Sequence, residues 1–214
     1  MRFLKPIDPI SNIGHKWLDR LYLASLAIIV LLLYGSSLSY QFLFYDDMEL
    51  VVDNPAIRFL SLSNLYAMFS RQILPIRDLS YALDLHLWGL SARAFHATNI
   101  ALMIGNCILL YFLLRQFFSL AWVPFAATLL FAIHPINTEV VCWISARKDL
   151  LAFFFFTASF LSFLKISDFS KPLLRDRLLF MGSLALALVA YFAKPSTFPL
   201  PAIILLYLWT HKPS

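Results

Sequence analysis

Long apolar runs separated by short polar segments make up most of the chain. The first run covers about 21–39. Five further runs follow, near 95–117, 119–134, 149–165, 178–193 and 199–210. A helix needs roughly 20 apolar residues to cross the hydrocarbon core of a bilayer. The pattern therefore predicts an all-α integral membrane protein with about six transmembrane helices.

Residues 40–94 follow a different pattern, because charged side chains recur every few positions and no window there could cross a bilayer. Within 76–88, two stripes recur at three- and four-residue steps. The apolar stripe is Ile76, Leu79, Leu83 and Leu87, and the other is Arg77, Tyr81, Asp84 and Trp88. This periodicity indicates an amphipathic helix. We expect it to lie on the membrane surface with its polar side towards a water-filled site. Capping residues at 61–64 predict a shorter helix before it.

The composition excludes several classes of protein. Of the 214 residues, 61% are hydrophobic and 14% charged, and the mean hydropathy is +0.76. A soluble domain would be roughly 45–50% apolar and about 25% charged. A soluble globular enzyme, a disordered chain and a secreted disulfide scaffold are therefore excluded. Cys107 in an apolar run and Cys142 in a predicted loop are expected to be free thiols.

The start of the chain has two possible interpretations. Residues 1–20 are polar and basic, and an apolar stretch follows. A signal peptide is one possibility, because 37–39 could imitate a cleavage site. The apolar stretch is longer than the usual signal core of about 7–15 residues, which favours a retained first helix.

Lysine and arginine set the expected orientation. With a cytoplasmic N-terminus, ten basic residues lie inside and seven outside. After the acidic residues on each side are subtracted, the net charge is +6 inside and −1 outside. This distribution fits the positive-inside rule and explains the basic excess without a nucleic-acid partner. The expected organisation is a cytoplasmic segment (1–20), a first transmembrane helix (21–39), an extracytoplasmic loop (40–94), the remaining transmembrane helices (95–210) and a tail (211–214).

Three segments on the extracytoplasmic side combine charges with apolar helix ends. They are the long loop, residues 135–148, and the turn at 194–197. A charged side chain in mid-membrane costs roughly 2.5–3.5 kcal/mol, so charges at this depth tend to mark function. In the loop, the adjacent carboxylates of Asp46 and Asp47 suit a general base that takes a proton from a hydroxyl. The alternative is that both acids are simply solvated at the start of a loop and have no catalytic role.

The second and third segments offer cations. A helix is expected to end at His134, and a polar turn with Glu139 leads to Trp143 and the pair Arg147–Lys148. A guanidinium has the fork geometry that binds phosphate. Interfacial anchoring, with tryptophan in the aromatic belt and basic side chains reaching the surface, is the alternative. Lys194 in the third segment is either a further phosphate ligand or an ordinary lysine at a helix end.

The sequence indicates no particular cofactor. The five histidines have no ligand spacing on one helix face, and only five glycines are present. Mg²⁺ or Mn²⁺ held by the Asp46–Asp47 carboxylates is chemically possible but not expected.

Several motifs occur in a fixed order along the chain. They are Asp46-Asp47, LPIRDLSYALDLHLWGL at 74–90, FHATN at 95–99, LFAIHP at 130–135, TEVVCWISARKDLL at 138–151, AKP at 193–195 and Leu200-Pro201. Together, over about 20–210, they resemble the membrane part of TMTC-type O-mannosyltransferases and their bacterial tetratricopeptide-repeat relatives. Those enzymes belong to the GT-C superfamily of polyprenyl-phosphate-sugar-dependent glycosyltransferases.

The resemblance implies a fold, a donor and a reaction. The fold is a GT-C-type helix bundle whose first extracytoplasmic loop is catalytic and carries surface helices. The donor is a sugar, often mannose, on a polyprenyl monophosphate, and one of the acids Asp46 and Asp47 activates the acceptor hydroxyl with inversion at the sugar carbon. We expect the cations Arg77, Arg147, Lys148 and Lys194 to bind the donor phosphate. The expected substrate-binding residues are Asp78, Tyr81, His134, Glu139 and Trp143.

The chain also departs from these relatives. We expect fewer crossings than in these relatives and no repeat domain, and Asn137 stands where relatives often carry a second histidine. The expected partners are membrane lipid, a polyprenyl-phosphate-linked sugar and a second membrane polypeptide that could supply further helices. A non-catalytic membrane subunit or lipid-phosphate-binding scaffold, or the first half of a split transferase, is the alternative to a complete enzyme.

Overall fold

The computed structural model describes residues 16–71, 74–166 and 173–210. Nine α-helices and no strands occur within these ranges. The helices are α1 (Lys16–Tyr34), α2 (Leu62–Arg71), α3 (Pro75–Trp88), α4 (Ala92–Leu114), α5 (Trp122–Ile133), α6 (Ile136–Cys142), α7 (Arg147–Leu164), α8 (Leu174–Ala193) and α9 (Leu200–Thr210). The prediction of an all-α protein is confirmed. Most of the segment 1–20, part of the hairpin 165–177 and the tail 211–214 lie outside the described residues.

Three stretches are long and apolar enough to cross a membrane in the described part of the chain. They are Lys16–Ser39, Ala92–Leu114 and Leu174–Ala193. A fourth crossing results if α5 and α6, which meet at a 70° bend, form one broken span. Helix α7 begins with three charged residues, and α9 has only 11 residues. The prediction of a membrane protein is confirmed, and the count of six crossings stays a prediction.

Helix α1 runs antiparallel to α4 and parallel to α5. At one end, Asp19 in the first turn of α1 accepts a hydrogen bond from Tyr111 near the end of α4. Arg115 Nε also lies 3.5 Å from the Asp19 carboxylate. At the other end, the Tyr34 hydroxyl at the end of α1 donates to the Ala132 carbonyl of α5 at 2.7 Å. The start of α1 therefore lies beside the end of α4, and the ends of α1 and α5 lie together.

Helices α7 and α8 are joined by a reciprocal serine pair. The Ser159 hydroxyl donates to the Ser183 carbonyl at 2.8 Å, and the Ser183 hydroxyl donates to the Ser159 carbonyl at 3.0 Å. Small hydroxyl residues allow helix backbones to approach closely in an apolar medium. At their ends, Lys194 after α8 pairs with Asp149 at the start of α7. One end of the bundle, called the site end, therefore gathers the ends of α1, α5 and α8 and the starts of α4 and α7.

The amphipathic helix predicted at 76–88 is present as α3, but its second stripe faces the protein interior, except for Trp88, which is 66% exposed. Arg77, Tyr81 and Asp84 are buried, whereas Leu83 and Leu87 are 46% and 64% exposed. The expectation of a polar side facing water was therefore wrong. The physical reason is that the buried charges form ion pairs within the bundle, which allows them to leave water.

Two local predictions have different outcomes. The shorter helix is confirmed as α2, and the Ser61 hydroxyl accepts a hydrogen bond from the Asn64 N–H at 3.2 Å. The segment 135–148, expected as a loop, is instead helical in α6 and in the 3₁₀ turn Ile144–Ala146. Cys142 is the last residue of α6 and, like the buried Cys107, is a free thiol.

Candidate functional site

The carboxylates of Asp46 and Asp47 lie in different environments. Both residues open a short helical stretch that continues as the π-helical turn Met48–Val52. Asp47 is completely buried, whereas Asp46 is half-buried. Turns of this kind are frequent at functional sites. Of the two acids, Asp46 is the one that a substrate could reach.

Hydrogen bonds fix both oxygens of the Asp47 carboxylate. Oδ2 accepts from the Leu43 N–H at 3.0 Å. Oδ1 accepts from the Ser145 N–H at 3.0 Å and from the Ser145 hydroxyl. Ser145 was missed by the sequence reasoning, because a small polar residue 98 positions away has no spacing that links it to the acids. This contact ties the long loop to the turn that precedes α7.

Arg147 is the largest completely buried side chain among the described residues. Its Nη1 lies 2.7 Å from the Asp84 carboxylate. Its Nε donates to the Asn99 side-chain carbonyl, and its Nη2 donates to the Phe95 backbone carbonyl, both at 2.8 Å. The guanidinium also lies 4.8 Å from the ring centre of Tyr81, in cation–π geometry. A phosphate could bind Arg147 only by displacing these partners.

Arg77 and Asp78 form a second buried ion pair on α3. Arg77 Nη2 and Nε lie 2.8 and 2.9 Å from Asp78 Oδ1. Burial raises the pKa of the Asp78 carboxyl above its ordinary value, although the Arg77 charge acts in the opposite direction. The Tyr81 hydroxyl donates to the Ile144 carbonyl at 2.8 Å, and burial raises the pKa of this phenol as well. These groups belong to the protein interior.

Lys194 lies in a more open environment. It pairs with Asp149, and both side chains remain about a third exposed, at 35% and 32%. They line a cavity of about 470 Å³, here called the lysine cavity. Its other lining residues include Asn137, Phe131, Val140 and Phe153. The cavity therefore combines apolar walls with one accessible cation.

A second cavity, of about 630 Å³, is called the tryptophan cavity. It lies between residues 40–43, which precede Asp46, and one face of α6. Its lining includes Tyr40, Phe42, Leu43, Thr138, Glu139 and Trp143. Because Leu43 also donates to Asp47, this cavity adjoins the fixed carboxylate.

Two further predicted site residues, His134 and Lys148, lie outside both cavities. His134 is exposed at the end of α5, and its Nδ1 accepts from the Ile136 N–H at 3.3 Å. Lys148 is half-buried, and neither residue is among those that line the two cavities. The described residues contain no group of three or more His, Cys, Asp or Glu side chains that could hold a metal ion. The structure thus brings Asp47, Tyr81 and Arg147 into one buried network and Lys194 into a cavity.

Comparisons with known proteins give one consistent result. Protein O-mannosyl-transferase TMTC1 of Mus musculus is 32% identical over 152 residues, which cover 64% of this chain and 16% of the relative. TMTC1 of Homo sapiens is 32% identical over 151 residues, covering 64% and 17%. Protein O-mannosyl-transferase F38B6.6 of Caenorhabditis elegans is 30% identical over 164 residues, covering 68% and 23%.

The chain thus spans between 16% and 23% of the length of these relatives. No protein-family model matches it, and no solved structure matches it significantly. The matches confirm the resemblance that the sequence motifs indicate: the chain is a homologue of the TMTC-type protein O-mannosyl-transferases.

Proposed function

We propose that the chain is a membrane glycosyltransferase, or the core module of one, that transfers mannose from a polyprenyl-phosphate donor to a hydroxyl acceptor. The names of the relatives support sugar transfer. One observation carries the proposal for this chain: the accessible carboxylate of Asp46 directly precedes Asp47, whose two oxygens are fixed by the protein.

We assign the two acids different roles. Asp46 acts as general base and takes the proton of the acceptor hydroxyl. The hydroxyl oxygen then forms a bond to the anomeric carbon of the sugar, while the bond from that carbon to the phosphate oxygen breaks. The electron pair of the broken bond leaves with the polyprenyl phosphate, and the anomeric configuration inverts. Asp47 holds the start of this turn in place through Leu43 and Ser145.

The lysine cavity is the proposed site of the lipid phosphate. A polyprenyl phosphate has an apolar tail and an anionic head, which match the apolar walls and the Lys194 ammonium. On binding, the phosphate replaces Asp149 as the partner of Lys194 and gains a charge-assisted hydrogen bond. Such a cation stabilises negative charge that develops on the leaving oxygens. Lys148 supplies a further positive charge beside Asp149.

The proposed architecture is a GT-C-type core of about six crossings. The chain directions of the described helices are compatible with such a core, because α1, α5 and α8 end at the site end, where α4 and α7 begin. By the positive-inside rule, the N-terminus is cytoplasmic and the site end is extracytoplasmic. A second membrane polypeptide is a proposed partner that would supply further helices around the donor.

The test is sugar transfer by the chain in lipid nanodiscs, with radiolabelled polyprenyl-phosphate mannose and a hydroxyl-bearing acceptor. Asp46→Asn should lower kcat by roughly 10²–10⁴-fold, because it removes the general base. The melting temperature should not change, because the Asp46 side chain is not part of the buried network. Asp53→Asn, at an exposed position after the π-helical turn, is the matched control and should retain activity. Normal transfer by Asp46→Asn would disprove the assignment of the base.

A second candidate function is a scaffold that binds lipid phosphate without transfer. It is favoured by the internal neutralisation of Arg77 and Arg147, which leaves fewer cations for a leaving phosphate. In the same nanodiscs, a scaffold would bind polyprenyl phosphate through Lys194 but would release no sugar. The two functions are therefore separated by measuring lipid binding and transfer on one preparation.

A further inference from the structure

The lysine cavity contains one cation and one anion. Lys194 and Asp149 are the only charged residues in its described lining, and they form an ion pair with each other. Helices α4, α5, α6 and α9 contribute only uncharged residues to that lining. The formal charge of the cavity wall is therefore zero. An anion that binds Lys194 must also approach the Asp149 carboxylate.

The arginines that we expected to bind phosphate are already neutralised. Arg77 pairs with Asp78, and Arg147 pairs with Asp84. Lys148 is half-buried and is not among the residues that line the cavity. Because breaking a buried ion pair leaves an uncompensated charge, these arginines are costly to recruit. A bound phosphate can therefore gain one close cation in the cavity.

The proposed reaction changes the charge of the molecule in this cavity. The donor is a phosphodiester with one negative charge. When the bond from the anomeric carbon to the phosphate oxygen breaks, the electron pair stays on that oxygen, and the acceptor proton goes to Asp46. The product is a phosphomonoester, and because the second pKa of such a group is about 6, it carries nearly two negative charges above pH 7.

The cavity matches the first of these charges but not the second. The first charge pairs with Lys194, as it does in the donor. The second finds no further cation in the described lining and faces Asp149. A charge that leaves water without a partner is unfavourable, and a like charge nearby increases that cost.

We propose that Asp149 makes the lysine cavity selective for a monoanionic phosphodiester over a dianionic phosphomonoester, so that the site that binds the donor also expels the product. This inference rests on the proposed function, because it assigns the donor and the lipid product of that reaction to one cavity. Asp149 is then a specificity-determining residue, which repels the second charge of the product. Replacement of its carboxylate by an amide would let the product stay bound.

Two sugar-free ligands that differ by one charge test this selectivity. They are a short-chain isoprenyl phosphate and its methyl diester. Their Kd values are measured by isothermal titration calorimetry with the full chain in nanodiscs at pH 8, and protein-free nanodiscs correct for partition into lipid. The natural chain should bind the diester about tenfold more tightly than the monoester. Asp149→Asn should lower the ratio of monoester Kd to diester Kd about tenfold, mainly through tighter binding of the monoester.

Controls identify the cause of any change in this ratio. Asp53→Asn also converts a carboxylate to an amide, at an exposed position outside the lining of the cavity, and should leave the ratio unchanged. Lys194→Met should weaken the binding of both ligands. The inference is overturned if the natural chain binds the monoester as tightly as the diester, if Asp149→Asn leaves the ratio unchanged, or if Lys194→Met weakens neither ligand. Because neither ligand carries a sugar, the selectivity can stand while the proposed transfer fails.

Discussion

Arg147 and Asp84 form a buried ion pair, with the arginine Nη1 2.7 Å from the aspartate Oδ2. The pair joins the start of α7 to α3. Asp84 is held on its other oxygen by the Thr98 hydroxyl at 2.8 Å, so the contact also reaches α4. Three helices at the site end therefore depend on one guanidinium. The pair explains why a helix with buried charges can pack inside an apolar bundle.

Removal of one partner of this pair should be far more damaging than removal of both. Arg147→Met leaves the Asp84 carboxylate buried without its cation, and we expect it to lower the free energy of unfolding by about 3–5 kcal/mol. The double variant Arg147→Met/Asp84→Leu removes both charges and should recover most of the lost stability. Thermal unfolding in detergent measures both variants. Equal destabilisation by the single and double variants would show that the charges are not the cause.

Lys194 and Asp149 should affect donor binding in opposite directions. Lys194→Met removes the proposed phosphate ligand and should raise the KM for polyprenyl-phosphate mannose about tenfold. Asp149→Asn removes the competing carboxylate and should lower that KM. Arg93→Met, at an exposed position on α4, is a control for loss of positive charge and should leave the donor KM unchanged. An increase in donor KM with Asp149→Asn would contradict the proposed exchange of partners.

Gly105 allows close packing of α4 against α7. A Cβ at this position would lie 2.8 Å from Cε2 of the Phe154 ring. Gly105→Leu should therefore force the ring aside and destabilise the fold by about 1–3 kcal/mol. Gly182→Leu is the matched control, because no atom lies within 4 Å of a Cβ at that helical position. Comparable melting temperatures for the two variants would contradict this role of Gly105.

The buried Asp78 should make stability depend on pH. Its pKa is raised above the ordinary value of 3.8, mainly by burial. Above pH 3.8, the folded chain therefore retains a proton that the unfolded chain has released, and stability falls as the pH rises through the folded-state pKa. Asp78→Asn removes this contribution. The difference in melting temperature between the natural chain and Asp78→Asn should thus vary with pH above about 4. A constant difference would show that Asp78 does not titrate differently in the two states.

The sequence predicted the helices better than the direction in which their side chains point. The apolar runs correspond to α1, α4 and α8, because burial in lipid requires long uninterrupted apolar segments. The stripe on α3 was recognised, but its interior orientation depends on partners such as Arg147, which lies far away in the chain. Pattern alone cannot show whether a charge faces water or a buried counter-ion.

The candidate site was predictable in its residue types but not in its connections. Asp46 and Asp47 were singled out because adjacent carboxylates near the end of a membrane helix suit a general base, yet only the fold distinguishes the accessible acid from the fixed one. Ser145 and the separation of two cavities by α6 had no signal in spacing. Such features arise from contacts between distant segments, which periodicity does not encode.

The hydrogen bonds from Ser145 to Asp47 also constrain the order of events during biosynthesis. The two residues are 98 positions apart, so the carboxylate emerges from the ribosome long before its partner. Until Ser145 has been synthesised, the Asp47 carboxylate lacks the two hydrogen bonds that Ser145 donates and has only the one from the Leu43 N–H. The acidic turn is therefore fully fixed only after the 3₁₀ turn Ile144–Ala146, which carries Ser145, has packed beside it.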